Sequence, residues 1–143
     1  MNVASILTEK GSNVVTAKPS ESLLEISKVL RQHGIGSVVL SNGDGDIAGI
    51  VSERDLVRAI AEFGPDILKS PTSEYMTRKV ITCRKSDTIE SIMAAMTDGR
   101  FRHMPVVEDD KLIGVISIGD VVRHRIAEAE MEASAMRSYI ATG

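Results

Sequence analysis

The sequence predicts a mixed α/β (α+β) fold: two pseudo-symmetric β-α-β-β-α repeats packed together, with an extended C-terminal helix. Three observations predict it. The chain repeats itself: Val14-Val15-Thr16-Ala17-Lys18-Pro19-Ser20 returns as Val80-Ile81-Thr82-Cys83-Arg84-Lys85-Ser86, from position 14 to position 80, a shift of 66. Gly49-Ile50-Val51-Ser52-Glu53-Arg54-Asp55-Leu56-Val57-Arg58 returns as Gly114-Val115-Ile116-Ser117-Ile118-Gly119-Asp120-Val121-Val122-Arg123, from 49 to 114, a shift of 65. Within each copy, β-branched runs alternate with helical spacing in the same order. The third observation is size. The 143 residues hold two units of about 65 residues, each small for burying an independent core, with no Gly/Ser tether between them.

Each element has its own local reason. Val14 to Thr16 is a short β-branched run; Pro19-Ser20 breaks it, and Ser20 or Ser22 can cap a helix. Leu23, Ile26, Val29 and Leu30 then recur at helical spacing, matched in the second copy by Ile89, Ile92, Met93 and Met96. Gly34-Ile35-Gly36 ends the first helix, and Val38-Val39-Leu40 reads as a strand. The turn Asn42-Gly43-Asp44-Gly45 returns the chain into Ile47 to Val51, and Asp109-Asp110 does the same between Val106-Val107 and Leu112 to Ile116. A helix opens after Ser52 and after Ser117. The join from Gly64-Pro65 to Pro71-Thr72 carries Ile67 and Leu68 and is bracketed by prolines, which suits a fixed crossing. The expected units are residues 1–70, 71–127 and a C-terminal helical extension, 128–143.

Composition excludes several function classes. Hydrophobic residues make up 43% and charged residues 26%, ordinary for a globular protein. A formal net charge of −3 and only 3% aromatic residues argue against a nucleic-acid coat or a base-stacking platform. A single cysteine, Cys83, excludes an intramolecular disulfide and a multi-cysteine zinc site; its alignment with Ala17 suggests a small packed residue. The three histidines, His33, His103 and His124, show no metal spacing, and neither a P-loop nor a complete Rossmann fingerprint occurs. No apolar run approaches the roughly 20 residues of a membrane span, and the N-terminus lacks a signal-peptide pattern. The expectation is a soluble cytoplasmic protein.

These residues carry a family resemblance. The duplicated β-α-β-β-α order, the twofold Gly-apolar-apolar-Ser-x-x-Asp, the lead-in Met76-Thr77-Arg78 and the run Arg102-His103-Met104-Pro105-Val106-Val107 cover the chain from about Val3 to Arg125. The chain resembles a stand-alone bacterial tandem cystathionine-β-synthase (CBS) domain pair, or Bateman module. The resemblance implies adenine-nucleotide binding between repeats, with AMP, ADP, ATP, S-adenosylmethionine or, in some members, NAD(H) as ligand. It implies regulation without catalysis and a homodimer in which two pairs form a flat disc, with an unidentified protein as the regulated target.

Candidate binding residues come from the residue types and, where stated, from the resemblance. Ser52 with Asp55, and Ser117 with Asp120, place a hydroxyl and a carboxylate at a helix N-terminus. That end, with free N–H groups and partial positive charge, suits a phosphate or a ribose. Helix capping alone explains the same spacing, and both roles can hold at once. Arg54 lies inside the first motif, where the second has Gly119; it can reach a phosphate or pair with a surface carboxylate. By resemblance, Arg102 and His103 occupy positions that reach nucleotide phosphates, with Arg100 beside them and Met104 and Pro105 continuing the strand; solvated surface charge is the alternative for the arginines. The resemblance also assigns Thr16, Ile81 and Thr82 to framing the adenine, where plain strand packing is the other reading. The first copy has Gly34-Ile35-Gly36-Ser37 opposite the basic cluster, so a second-repeat site (Ser117, Asp120, Arg102, His103) is expected to hold phosphate more firmly than a first-repeat site (Ser52, Arg54, Asp55).

The last helix carries an apolar stripe at Val122, Ile126, Ala129, Ala133, Met136 and Ile140, stepping by four and three residues from about Gly119 to Ala141. Its expected partner is the same helix of a second subunit; folding back over its own repeat is the alternative. Two other functions compete with a nucleotide sensor: a nucleotide-processing enzyme, for which no nucleophile-base pair is visible, and a ligand-independent assembly or DNA-associated protein.

Overall fold

The computed structural model describes residues 1–11 and 13–142. The elements in order are α1 (Val3–Lys10), β1 (Thr16–Ala17), α2 (Leu23–His33), β2 (Ser37–Leu40), β3 (Gly49–Ser52), α3 (Glu53–Phe63), α4 (Ile89–Gly99), β4 (His103–Glu108), β5 (Lys111–Ser117) and α5 (Ile118–Thr142). Two short 3-10 turns, Pro65–Lys69 and Thr72–Glu74, make the join. In the first repeat β1 pairs parallel with β2, and β2 pairs antiparallel with β3. The second repeat keeps the β4–β5 hairpin, but its first strand shrinks to one parallel bridge between Cys83 and Val106. The expected strand around Val80–Thr82 is thus a single rung, because Cys83 alone exchanges hydrogen bonds with β4, at 3.0 Å to Pro105 and 2.9 Å from Val107.

Helix boundaries follow the capping chemistry. Ser22 Oγ accepts from the Glu25 N–H, and Gly34 ends α2 in the left-handed region at φ 61°. Thr88 caps α4 in the same way. Leu23, Ile26 and Leu30 of α2 are buried, as are Ile89, Ile92 and Met96 of α4; each such side chain contributes about 1.5–3 kcal/mol on burial.

The segment preceding each repeat packs on the other one. Sequence patterning misses α1, an N-terminal helix of eight residues. It stands ahead of the first repeat in the chain, yet Val3, Ile6 and Leu7 belong to the core of the second, with Ile89, Met104, Ile116 and Val121. Leu7 lies where a Cβ on Gly114 would come within 2.6 Å, so glycine there lets α1 seat on β5. In mirror fashion the join contributes Ile67 and Met76 to the first core, beside Leu23, Val38, Val51 and Leu56. Thr77 bridges Ile50 of β3, donating to it and accepting from it at 2.9 and 3.0 Å. The two repeats are laced together at both ends.

Candidate nucleotide cleft

Matched hydrogen bonds set the two helix starts. The Glu53 N–H donates to the Gly36 carbonyl at 3.0 Å, and the Ile118 N–H donates to the Arg102 carbonyl at 2.8 Å. Each helix opens on a capping box: Ser52 N–H to Asp55 Oδ2 at 2.9 Å with Asp55 N–H to Ser52 Oγ at 3.3 Å, and the equivalent pair between Ser117 and Asp120 at 2.8 and 3.2 Å. Capping therefore operates at both motifs.

Around the first box opens a cleft of about 430 Å³, within the range of small-ligand pockets. One wall is Gly36, Ser37, Ile50 and the α3 start from Ser52 to Asp55, with Arg58 one turn on. The other comes from across the repeat boundary: Thr77, Lys79, Val80 and Ile81 of the lead-in, and Gly99 to His103 at the entrance to β4. Five cations (Arg54, Arg58, Lys79, Arg100, Arg102) face two carboxylates, Glu53 and Asp55, while Ile50, Val80, Ile81 and Phe101 supply apolar surface. Such a cleft can seat an anion against its arginines, accept hydroxyl hydrogens at Asp55 and cover a flat apolar ring.

Two backbone details shape it. Arg100 adopts the left-handed conformation at φ 56°, at the repeat position where the first copy has Gly34 at φ 61°. A non-glycine residue there costs about 1–2 kcal/mol, and the chain bears that cost to place a guanidinium on the rim. Gly36 sits where a Cβ would meet Glu53 Oε1 at 2.9 Å and His103 Nε2 at 3.0 Å, so its missing side chain keeps the floor open. Burial, reinforced by the Lys10 charge, holds His103 below the usual imidazole range despite the pull of Glu53 and Asp120.

Of the residues singled out in the sequence, Ser52, Arg54, Asp55, Ile81, Arg102 and His103 line this one cleft. The grouping expected from the sequence is corrected in part: Arg102 and His103 line the cleft with Ser52 and Asp55, while His103 also pairs with Ser117 across the β4–β5 hairpin. The reason is topological, because β4 enters beside α3 of the other repeat. Arg54 lines the cleft beside Glu53. Thr16 and Thr82 are exposed outside it, Met104 is 1% exposed within the second core, and the buried Pro105 accepts from the Cys83 N–H. Asp120 is buried and bonded to Lys10 and Arg123. Arg100, named in the sequence as part of the basic cluster, lines the cleft too, and Lys79 and Phe101 complete it without having been singled out; the signal for Lys79 is its place just before the recurring Val80-Ile81-Thr82. Among the described residues no group of three or more His, Cys, Asp or Glu side chains gathers as a metal site, and no helix is long and apolar enough to cross a membrane.

Comparison with known proteins matches this architecture. The CBS domain family model matches residues 3–62 and 73–127. A CBS-domain-containing protein of Agrobacterium tumefaciens superposes with a TM-score of 0.85 at 45% identity, over 87% of this chain and 99% of that one. The mitochondrial CBS domain-containing protein CBSX3 of Arabidopsis thaliana is 32% identical over 149 residues, 99% of this chain and 72% of its own length. This chain spans between 57% and 72% of the length of three curated relatives at 32–34% identity. Two related structures hold adenosine compounds. The CBS domain pair of protein MJ0100, in complex with 5′-methylthioadenosine and S-adenosyl-L-methionine, has a TM-score of 0.79 at 25% identity, over 90% of this chain and 98% of that one. A CBS domain protein of Pyrobaculum aerophilum complexed with AMP has a TM-score of 0.74 at 25% identity, over 84% and 89%. With two family segments in register with its internal repeat, this chain belongs to the CBS domain family, as a tandem pair.

Proposed function

We propose that the chain is a non-catalytic sensor of adenine nucleotides, of the AMP, ADP and ATP class or NAD(H), and that the cleft over the α3 start is its binding site. The observation that carries this is the division of the site between repeats. Asp55 and Ser52 come from the first, whereas Lys79, Arg100 and Arg102 come from the lead-in and body of the second. A nucleotide with its ribose on Asp55 and its phosphate among Arg54, Lys79, Arg100 and Arg102 touches both. Its occupancy then biases how the repeats sit on each other, the differential contact that a regulatory change requires. The AMP held by the Pyrobaculum relative supports the ligand class. The excess of cations favours phosphorylated ligands over S-adenosylmethionine, whose sulfonium is itself positive.

A second copy of the chain completes the reading. Val57, Ile60 and Phe63 on α3, and Val122, Ile126, Met136 and Ile140 on α5, are exposed apolar side chains. The end of α5 does not fold back: residues 129–142 are all exposed. A homodimer burying these faces is the economical solution, and Ala133→Glu in the stripe weakens it, read as a fall in mass by light scattering.

Thermal melting with AMP, ADP, ATP, NAD⁺, NADH, S-adenosylmethionine and adenosine tests the site. A ligand at 100 times its Kd stabilises by about 2.7 kcal/mol. The reading predicts a rise in Tm with at least one phosphorylated ligand that exceeds the rise with S-adenosylmethionine; no rise with any of them at millimolar concentration contradicts it.

A further inference from the structure

The position related to Asp55 by the internal repeat is already taken by the chain itself. Lys10 Nζ donates to Asp120 Oδ2 at 2.7 Å and to the Val115 carbonyl at 2.8 Å, and Arg123 Nη2 donates to Asp120 Oδ1 at 2.6 Å. Asp55, by contrast, accepts from the Ser52 N–H at 2.9 Å, and its ion pair with Arg58 is long, at 3.8 Å. The Asp120 side chain is 7% exposed, against 24% for Asp55.

Lys10 is not a loosely placed surface lysine. It is the last residue of α1, whose Val3, Ile6 and Leu7 are anchored in the second core. A further tie, Glu9 to His124 at 2.7 Å, fixes the same turn of α1 to α5. In the lead-ins, Val3 and Ala4 donate to Asp87 and Lys85 as Thr72 and Ser73 donate to Glu21 and Pro19, a shift of 69 from position 3 to position 72. Leu7 on Gly114 therefore matches Met76 on Gly49, and Lys10 stands where the first repeat has Lys79. Lys79 lines the first cleft, and the backbone of Thr77, two residues before it, bridges Ile50. Val115 is the counterpart of Ile50, from 50 to 115, a shift of 65. The second repeat therefore holds its lysine on the carboxylate and the β5 carbonyl, where the first leaves the equivalent lysine in the wall of an open cleft.

We infer that Lys10 closes the second cleft, so that each chain takes one nucleotide instead of two, and that α1 sets this stoichiometry. The inference rests on the reading of the first cleft as an adenine-nucleotide site. A ribose hydroxyl arriving at Asp55 displaces no close ion pair. One arriving at Asp120 must part it from Lys10 and leave the ammonium without its carboxylate, an unfavourable exchange.

The test is the number of AMP equivalents bound at saturation, by equilibrium dialysis, for the full-length wild type and for Lys10→Met, which removes the ammonium and keeps an unbranched side chain. Lys10→Ala serves as a second variant should the methionine fail to fold, with far-UV circular dichroism as the check. The expected result is one equivalent per chain for the wild type and two for the folded Lys10 variant. In that variant, added Asp120→Ala returns the count to one. Two equivalents in the wild type, or one in a folded Lys10 variant, overturns the inference while leaving the first cleft as a nucleotide site. No binding by the wild type refutes the nucleotide reading itself, and this inference with it.

Discussion

Replacing the two repeat-related aspartates by alanine separates their roles. Asp55 makes one internal hydrogen bond of note, to the Ser52 N–H at 2.9 Å, and its Arg58 contact is long at 3.8 Å. Asp55→Ala should cost about 1 kcal/mol of stability, the value of a capping interaction, or a few degrees in Tm. It also deletes the carboxylate proposed to accept from the ribose. A hydrogen bond to a charged group contributes about 1.5–3 kcal/mol, so AMP affinity should fall roughly ten- to hundredfold. Asp120 accepts from the Ser117 N–H, Lys10 and Arg123, all within 2.8 Å. The Lys10 and Arg123 side chains are 42% and 71% exposed, which discounts their ion pairs. The sum for Asp120→Ala is still about 3 kcal/mol, a fall in Tm of roughly 10 °C. AMP affinity should stay within about twofold of wild type, since a twofold change is only about 0.4 kcal/mol. Calorimetric titration and thermal melts on both variants read the two axes. If Asp120→Ala weakens AMP as much as Asp55→Ala while leaving Tm unchanged, the division of labour is wrong.

The same contacts predict four further outcomes. Arg100→Gly should raise stability by about 1 kcal/mol, by relieving the left-handed backbone, while lowering AMP affinity; a simultaneous loss of both in melts and calorimetry removes Arg100 from the rim. Burial, with Asp87 nearby, pushes the Cys83 thiol up to about 12, so iodoacetamide should leave the native protein unlabelled at pH 8 and label it in denaturant, read by mass spectrometry. Ile6→Ala should cost about 2–5 kcal/mol, seen as a lower urea midpoint, because Ile6 is fully buried in the second core. Burial alone would raise the Asp120 carboxyl, but hydrogen bonds from Lys10 and Ser117 and the Lys10 charge outweigh it and hold it below the ordinary value. Its contribution is therefore present above about pH 4, the unfolded carboxyl value, and is lost as pH falls through the lower folded value; the Tm of Asp120→Asn should decline less on acidification than that of the wild type.

Local chemistry written in short spans was legible in the sequence. Ser22, Ser52 and Ser117 start helices because a hydroxyl there satisfies a free N–H, and Asp109-Asp110 turns the second hairpin with both residues at positive φ. The long stripe on α5 was likewise plain from its spacing. The cleft was legible in part: Ser52, Arg54, Asp55, Ile81, Arg102 and His103 line it, whereas Thr16, Thr82, Met104 and Pro105 do not, and their grouping by repeat was not legible. Arg102 precedes the strand that leads to Ser117, so sequence order assigns it to that repeat, whereas the packing of one repeat on the other brings it to Ser52. Helix α1 escaped because its eight residues carry only three buried side chains, too few for a period to stand out. Lys10 escaped with it: nothing about a lone lysine before a glycine says that a partner lies at position 120.

The most direct test of a cleft shared by both repeats is to titrate AMP and adenosine into the wild type and Arg102→Ala. Arg102 is exposed at the cleft wall, so its removal should leave the fold intact. Loss of a charge-assisted contact to phosphate of about 1.5–3 kcal/mol predicts roughly ten- to hundredfold weaker AMP binding and unchanged adenosine binding. Equal losses for the two ligands, or no loss for AMP, would contradict a phosphate held by the second repeat while the ribose rests on the first.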